Sequence, residues 1–310
     1  MYKSSAPGTI KLLGEYAVLH GYPAIACALD RRIHVQLVER LDDTITIHGS
    51  LGDYEGNLKD LPLLKPPYQF VLAAISQFKE EIATGFGLTI ESDFSSTVGL
   101  GSSSAVSVAT VSVLAKWLKK EYSLMELYQK AYDVVLAVQG KGSGIDVAAS
   151  VFGGVIYYQL EPFTIINLTH FPQIELVYSG SKVQTVEMIN HVDELNKHVP
   201  DLVNHLYQLI GHCSEEGKKA IESKDWDTLG TIFNVHQGLH DALGTSSPHI
   251  ATIIDFLRKS KTIQGAKISG AGLGDCVVAI GKLPSDTFPQ NDKGIFQMKV
   301  EITSEGVGSA

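Results

Sequence analysis

Along the first half of the chain, apolar residues alternate with polar ones or cluster in short β-branched runs. Along much of the second half they recur every three to four residues. Residues 9–13, 24–28, 33–39 and 44–48 show the first pattern and are expected to form strands. Residues 68–79 have helical spacing, and 87–92 return to strand. A helix is predicted over 105–120. Ser123 followed by Glu126 is a capping box that opens the next helix, running towards Val138. A glycine-rich turn, 140–144, leads into 147–158. Strands are then expected near Ile165 and over 174–178, and helices over 183–196, 202–223, 226–243 and 248–259. The chain ends in strands at 266–269 and 276–280. The expected class is α/β (α+β) in two lobes, with the boundary between Tyr158 and Val183, drawn as 1–170 and 171–310.

Composition narrows the partners. The chain has 310 residues, 44% of them hydrophobic and 19% charged, enough to build a large core. Its formal net charge of -9 argues against nucleic acid as a partner, because phosphate-backbone affinity needs a basic face. No apolar leader opens the chain, and the best candidate span, near 98–118, is broken by Gly, Ser and Lys. Three widely spaced cysteines, Cys27, Cys213 and Cys276, fit reduced thiols better than a disulfide framework or a zinc site. The expectation is a cytoplasmic protein, monomer or homodimer, acting on a small molecule with neither nucleic acid nor membrane as partner.

The densest chemistry lies in Val98-Gly99-Leu100-Gly101-Ser102-Ser103-Ser104, between a predicted strand and a predicted helix. Glycines allow positive φ and close backbone approach, successive N–H groups can form a concave nest, and the helix start adds unpaired donors. Ser102 and Ser103 add hydroxyls for phosphate oxygens or a metal ion. No Gly-Lys-Ser/Thr follows, so this is not a P-loop, and no Rossmann unit opens the chain. By itself the loop fits a phosphate cradle or a tight turn with serine caps equally well.

Two further runs change that balance. They are Pro7-Gly8-Thr9-Ile10-Lys11-Leu12-Leu13-Gly14-Glu15-Tyr16-Ala17-Val18-Leu19-His20-Gly21 and Lys267-Ile268-Ser269-Gly270-Ala271-Gly272-Leu273-Gly274-Asp275-Cys276. With the central loop they resemble, in order and spacing over nearly the whole chain, the three signature motifs of the GHMP kinases. The resemblance implies a ribosomal S5 domain 2-like N-terminal lobe and a ferredoxin-like C-terminal lobe. It also implies ATP bound by Gly99 to Ser104, Gly270 and Gly272, with Mg2+ as cofactor and Ser103 as its ligand. The reaction implied is phosphoryl transfer to a small acceptor held by Glu15, His20, Lys141, Ser143 and Gly144.

Within Gly140-Lys141-Gly142-Ser143-Gly144-Ile145-Asp146, the acid falls where the mevalonate-pathway members of the family keep their catalytic aspartate. The resemblance therefore makes Asp146 the general base, which is favoured over its acting as cap of a helix starting at Val147. The sequence departs from the family pattern twice. Thr9 stands where the motif usually has a lysine that pairs with the aspartate. Lys11 shares a strand face with Thr9 and could supply that cation, as could Lys141 or Arg31. Val135 stands where the magnesium-ligating glutamate is usual, with Asp133 nearby but offset onto a solvated helix face.

Resemblance in four local runs, including Gly14 to Val18 and Gly142 to Ala148, leans towards 5-phosphomevalonate as acceptor, with mevalonate as the alternative. A phosphorylated acceptor needs extra cations, for which Lys11, Arg31, Arg32, Lys141 and Lys182 are candidates, although surface ion pairs account for Arg31, Arg32 and Lys182 more simply. A decarboxylating relative and a non-catalytic nucleotide sensor are the remaining readings. His236 and His240 have i,i+4 spacing without a metal-binding motif, and are expected as helix-surface or core residues. Phe70, Phe78, Tyr128 and Tyr132 are expected in the core.

Overall fold

The computed structural model describes residues 1–62, 65–181, 185–285, 287–288 and 294–308. Lys182 and the helix start expected at Val183 lie outside the described residues. The first sheet has seven strands: β1 (Tyr2–Leu13), β2 (Ala24–Glu39), β3 (Thr44–Gly49), β4 (Gly52–Asn57), β5 (Phe86–Ser92), β6 (Val155–Gln159) and β7 (Thr164–Leu168). Their order is β4-β3-β5-β2-β6-β7, with β1 also paired to β2, and only β3–β5 among these pairs is parallel. The helices α1 (Gln69–Ser76), α2 (Ser102–Trp117), α3 (Leu124–Gln139) and α4 (Ile145–Phe152) belong to this half.

Two strands were expected where β2 runs unbroken. The polar Asp30-Arg31-Arg32 looks like a turn in sequence, yet it stays extended because the chain's last segment pairs with it. Asp30 N donates to Glu301 O, Thr303 N donates to Ala28 O, and Leu29 bridges Ile302. Arg31 donates to Lys299 O, and Arg32 to Ser5 O and Gly306 O. These bonds tie both guanidinium groups to the segment 299–306, with Ser5 also holding Arg32. Neither lines the cleft, so Arg31 does not supply the missing cation.

α2 is apolar or small on nearly every side, as a helix enclosed by other elements must be. It packs against β1 and β2 on one side and α1 and α3 on the other. It begins at Ser102, three residues earlier than periodicity suggested, because Gly101 takes φ 61° and acts as N-cap. α3 opens with the expected reciprocal capping box, Ser123 with Glu126. Phe78 and Tyr128 are core residues, with Phe70 and Tyr132 partly buried against them.

The second half builds an antiparallel sheet ordered β11-β8-β10-β9 from β8 (Ile174–Tyr178), β9 (Ile263–Ser269), β10 (Cys276–Gly281) and β11 (Phe296–Met298). α7 (Trp226–Ala242) and α8 (Pro248–Arg258) pack on β9 and β10, while α5 (Thr185–His198) and α6 (Pro200–Ser223) pair beside them. This is the mixed two-lobe fold expected, and we propose residue 170, between β7 and β8, as the lobe boundary. Among the described residues, no helix is long and apolar enough to cross a membrane.

Candidate active site

A cleft opens where the start of α2, the turn before α4, the middle of β1 and the β9–β10 loop meet. β1 carries two register shifts against β2, one between Pro7 and Thr9 and one between Lys11 and Leu13. Bulges re-aim side chains, and the residues between these shifts, Thr9 and Lys11, both point at Asp146. Lys11 Nζ donates to Asp146 Oδ2 at 2.5 Å, and Thr9 Oγ1 donates to Asp146 Oδ1 at 3.0 Å. Both partners of the Lys11–Asp146 pair keep some solvent contact, at 22% and 24% exposure. Burial alone would lower the Lys11 pKa. The charge of Asp146 and its hydrogen bond, helped by Glu15 and Asp275, more than offset it, so the ammonium is held above its ordinary range.

Asp146 is not a helix cap. Gly144 is the N-cap of α4, and Asp146 lies in its first turn with both oxygens held from β1. Tyr128 and Tyr132 pack where a Cβ at Gly144 would fall, which is why the turn tolerates only glycine there.

Gly99 and Gly101 have φ of 73° and 61°. A Cβ at Gly101 would lie 2.2 Å from Thr9 Oγ1, and one at Gly99 would lie 2.8 Å from Asp275 Cβ. Thr9 N also donates to Leu100 O at 3.0 Å. The loop is thus pressed onto β1 on one side and the β9–β10 loop on the other. The first N–H groups of α2, from Ser102 to Ser104, face the cleft, and the helix dipole adds positive potential there. The loop fits a polyphosphate.

Most of the expected site residues line this cleft: Gly99, Gly101, Ser102, Ser103, Ser104, Gly270, Glu15, Lys141, Ser143, Gly144, Lys11 and Asp146. Leu100, Gly272 and His20 do not. Leu100 turns into the core at 1% exposure, as an apolar side chain flanked by two flexible glycines does. Gly272 packs on Thr245, whose carbonyl a Cβ would meet at 2.2 Å. His20 sits on the outer rim, its ring stacked on Tyr207 at 4.1 Å. Asp133 bonds Gln129 on the exposed face of α3, and Val135 lines the cleft without an oxygen donor.

Glu15 lines the cleft floor, but its carboxylate turns inward, against the expected acceptor contact. Lys267, fully buried on β9, donates from Nζ to Glu15 Oε1 at 2.6 Å. Gly270 N donates to the same oxygen at 3.4 Å. Glu15 Oε2 faces His236 Nε2 at 3.8 Å and His240 Nε2 at 3.9 Å, both in the core. Burial alone would raise the Glu15 pKa, yet the Lys267 ammonium holds it well below the usual carboxylate range. Burial pushes His236 and His240 down, with Lys267 adding to the effect. His240 Nδ1 lies 2.8 Å from Thr245 Oγ1, whose hydroxyl reaches back to His240 O. Ligands of a tetrahedral zinc ion lie about 3.3 Å apart at bond lengths near 2.05 Å. The gaps here are wider, and the Lys267 ammonium lies alongside, so the cluster does not suit zinc. Lys267 was visible in the third motif, but only its total burial in an otherwise apolar strand marks it as a partner for a buried acid.

For magnesium, the cleft offers the Ser103 hydroxyl, while Asp146 is already engaged by Lys11 and Thr9. Mg2+ dehydrates reluctantly and is commonly held by substrate phosphates and water with one or two protein oxygens. The donor set fits an ion carried in on a nucleotide.

A glycine–serine loop at a helix start facing a lysine-clamped carboxylate has the chemistry that a small-molecule kinase needs. Residues 69–154 match the GHMP kinases N terminal domain and residues 218–287 match the GHMP kinases C terminal domain. The chain belongs to the GHMP kinases, and as a kinase of that family it uses ATP. Its relatives include the mevalonate kinase of Pyrococcus abyssi, 33% identical over 98% of this chain and 96% of that one. Among solved structures, Methanococcus jannaschii mevalonate kinase superposes with a TM-score of 0.80 at 22% identity, covering 97% of this chain and 98% of that one. Streptococcus pneumoniae phosphomevalonate kinase, in complex with phosphomevalonate and AMPPNP, gives 0.79 at 18% identity, covering 97% and 100%.

Proposed function

We propose that this chain transfers the γ-phosphoryl group of ATP to the 5-hydroxyl of mevalonate, in isoprenoid precursor synthesis. The observation that carries the chemistry is the Lys11–Asp146 pair set against the phosphate cradle. Asp146 accepts the hydroxyl proton as the oxygen attacks. Lys11, still protonated, orients that carboxylate and offsets charge on the transferred group, the task of the lysine that Thr9 replaces. Thr9 fixes the second carboxylate oxygen and packs against Gly101, so the acid and the cradle move as one unit. Ser103, together with nucleotide phosphates and water, would hold a magnesium ion, which would supply positive charge to the phosphates.

Charge supply favours mevalonate over 5-phosphomevalonate. Among the described residues lining the cleft, the cations are Lys11, which is committed to Asp146, and Lys141. Arg31 and Arg32 are tied to the chain's last segment, outside the cleft lining. The phosphate of 5-phosphomevalonate would find little to pair with. The mevalonate kinase relatives point the same way.

An acceptor screen with ATP and magnesium tests this. Turnover with mevalonate and a product heavier by one phosphoryl group are expected. Asp146→Asn should lower kcat by about 10²–10⁴-fold with ATP binding kept. Turnover confined to 5-phosphomevalonate, homoserine or a sugar would overturn the acceptor. Loss of carbon dioxide from the product would point to the decarboxylating reaction. An Asp146→Asn variant that behaves like wild type would point to the sensor.

A further inference from the structure

We infer that Lys141 selects the acceptor by its carboxylate, and that Asp193 holds Lys141 at the cleft rim until the acceptor displaces it. The inference rests on the mevalonate reading and adds what discriminates among acceptors.

Five charged residues line the cleft among the described ones: Lys11, Glu15, Lys141, Asp146 and Asp275. Four are tied into the scaffold. Lys11 and Asp146 hold each other at 2.5 Å, Glu15 is held by Lys267 at 2.6 Å, and Asp275 is packed against Gly99. Lys141 differs. It sits on the turn before α4, and its Nζ reaches across the cleft to α5, 3.0 Å from Asn190 Oδ1 and 3.5 Å from Asp193 Oδ2. The two side chains of this ion pair are 36% and 49% exposed. An exposed pair of that length contributes little stability, so another carboxylate can take over the ammonium with small loss. Lysine suits such an exchange, since it carries a point charge on a flexible stem.

The position agrees with the acceptor's shape. Mevalonate carries its reacting hydroxyl at one end, a carboxylate at the other, and a methyl-bearing carbon between. Asp146 takes the hydroxyl end, and Lys141 lies on the turn that leads into the helix carrying Asp146. The apolar wall from Val135, Leu19 and Ile189 suits the middle. One ammonium with an acidic neighbour matches one negative charge. The Asp193 carboxylate beside it repels an acceptor that brings more.

The test is steady-state kinetics of wild type, Lys141→Met and Asp193→Asn with two acceptors: mevalonate, and 3-methylpentane-1,3,5-triol, which keeps the hydroxyls and lacks the carboxylate. For Lys141→Met, the mevalonate KM should rise about 10- to 100-fold, the worth of a charge-assisted hydrogen bond. Its kcat should change little and its KM for the triol should hold, the mark of lost uniform binding. Asp193→Asn should lower the mevalonate KM and leave the triol unaffected. An equal change in KM for both acceptors, or no change for mevalonate, overturns the assignment while the functional reading stands. Wild type inactive on mevalonate overturns the functional reading, and this assignment with it.

Discussion

At the scale of single residues, the site shows how one cation can be exchanged for another. A lysine two positions along β1 reaches the same carboxylate because the strand period puts positions 9 and 11 on one face. Thr9 in the vacated position contributes a neutral donor, so Asp146 is held at both oxygens. Lys11→Met should therefore lower kcat by about 10²–10³-fold, the usual cost of removing one charge-stabilising donor. Nucleotide affinity, set mainly by the α2 cradle, should stay within a few-fold. Single-turnover kinetics alongside nucleotide titration checks both, and a kcat unchanged in this variant would remove Lys11 from the mechanism. Thr9 and Lys11 were legible as same-face neighbours. Which of Lys11, Lys141 and Arg31 meets the acid was not, because three cations in a sequence carry no distances.

Among elements, α2 and its preceding loop form the unit to which we assign nucleotide binding. Gly101 is both the αL cap that starts the helix early and the point where Thr9 presses closest. In Gly101→Ala, the added carbon would be forced into αL geometry and against Thr9 Oγ1. A stability loss of about 1–3 kcal/mol is expected from the strained backbone and the displaced contact. Nucleotide affinity should fall by about tenfold or more, since the N–H groups of Ser102 to Ser104 shift with the cap. Thermal melting with and without nucleotide measures the two effects separately. The glycine–serine pattern foretold the turn into a helix, whereas the three-residue difference in the helix start comes from apolar periodicity. Ser102, Ser103 and Ser104 are polar because they face the cleft, and so they hide a helical turn. The polar triplet at Asp30 misled in the same way, its strand being held by a partner segment some 270 residues away.

For the whole molecule, the two lobes are fastened through a buried polar cluster: Glu15 from the first motif, Lys267 from β9, and His236 and His240 from α7. This cluster makes stability depend on pH. Both histidines are held neutral in the fold, below their ordinary pKa, so below about pH 6.5 the unfolded chain binds protons that the folded one refuses. Their contribution is present above that value and is lost as the pH falls towards their folded pKa values. Each histidine then costs up to about 1.4 kcal/mol per pH unit. Glu15, whose pKa is depressed, adds to the loss only below its unfolded value of 4.5. Melting temperature should therefore fall between pH 7 and pH 5, and the double variant His236→Asn, His240→Leu should flatten that slope. An identical slope in the double variant would show that other groups set the acid limit.

Much of the local structure was determined by the sequence alone. The capping box of α3, the glycines at 99 and 101, the shared face of Thr9 and Lys11 and the order of the three motifs follow from backbone sterics and from periodicity between near neighbours. These properties do not depend on where the rest of the chain goes. The tertiary structure decided the pairings. Lys11 meets Asp146 across 135 positions of chain, and Glu15 turns inward to Lys267 across 252. His20 is left on the rim, and Lys141 spans to α5. Such contacts are set by how two sheets and their helices pack against one another. A buried charge then takes whichever partner that packing brings within reach, because leaving it alone costs more than any local preference can offset.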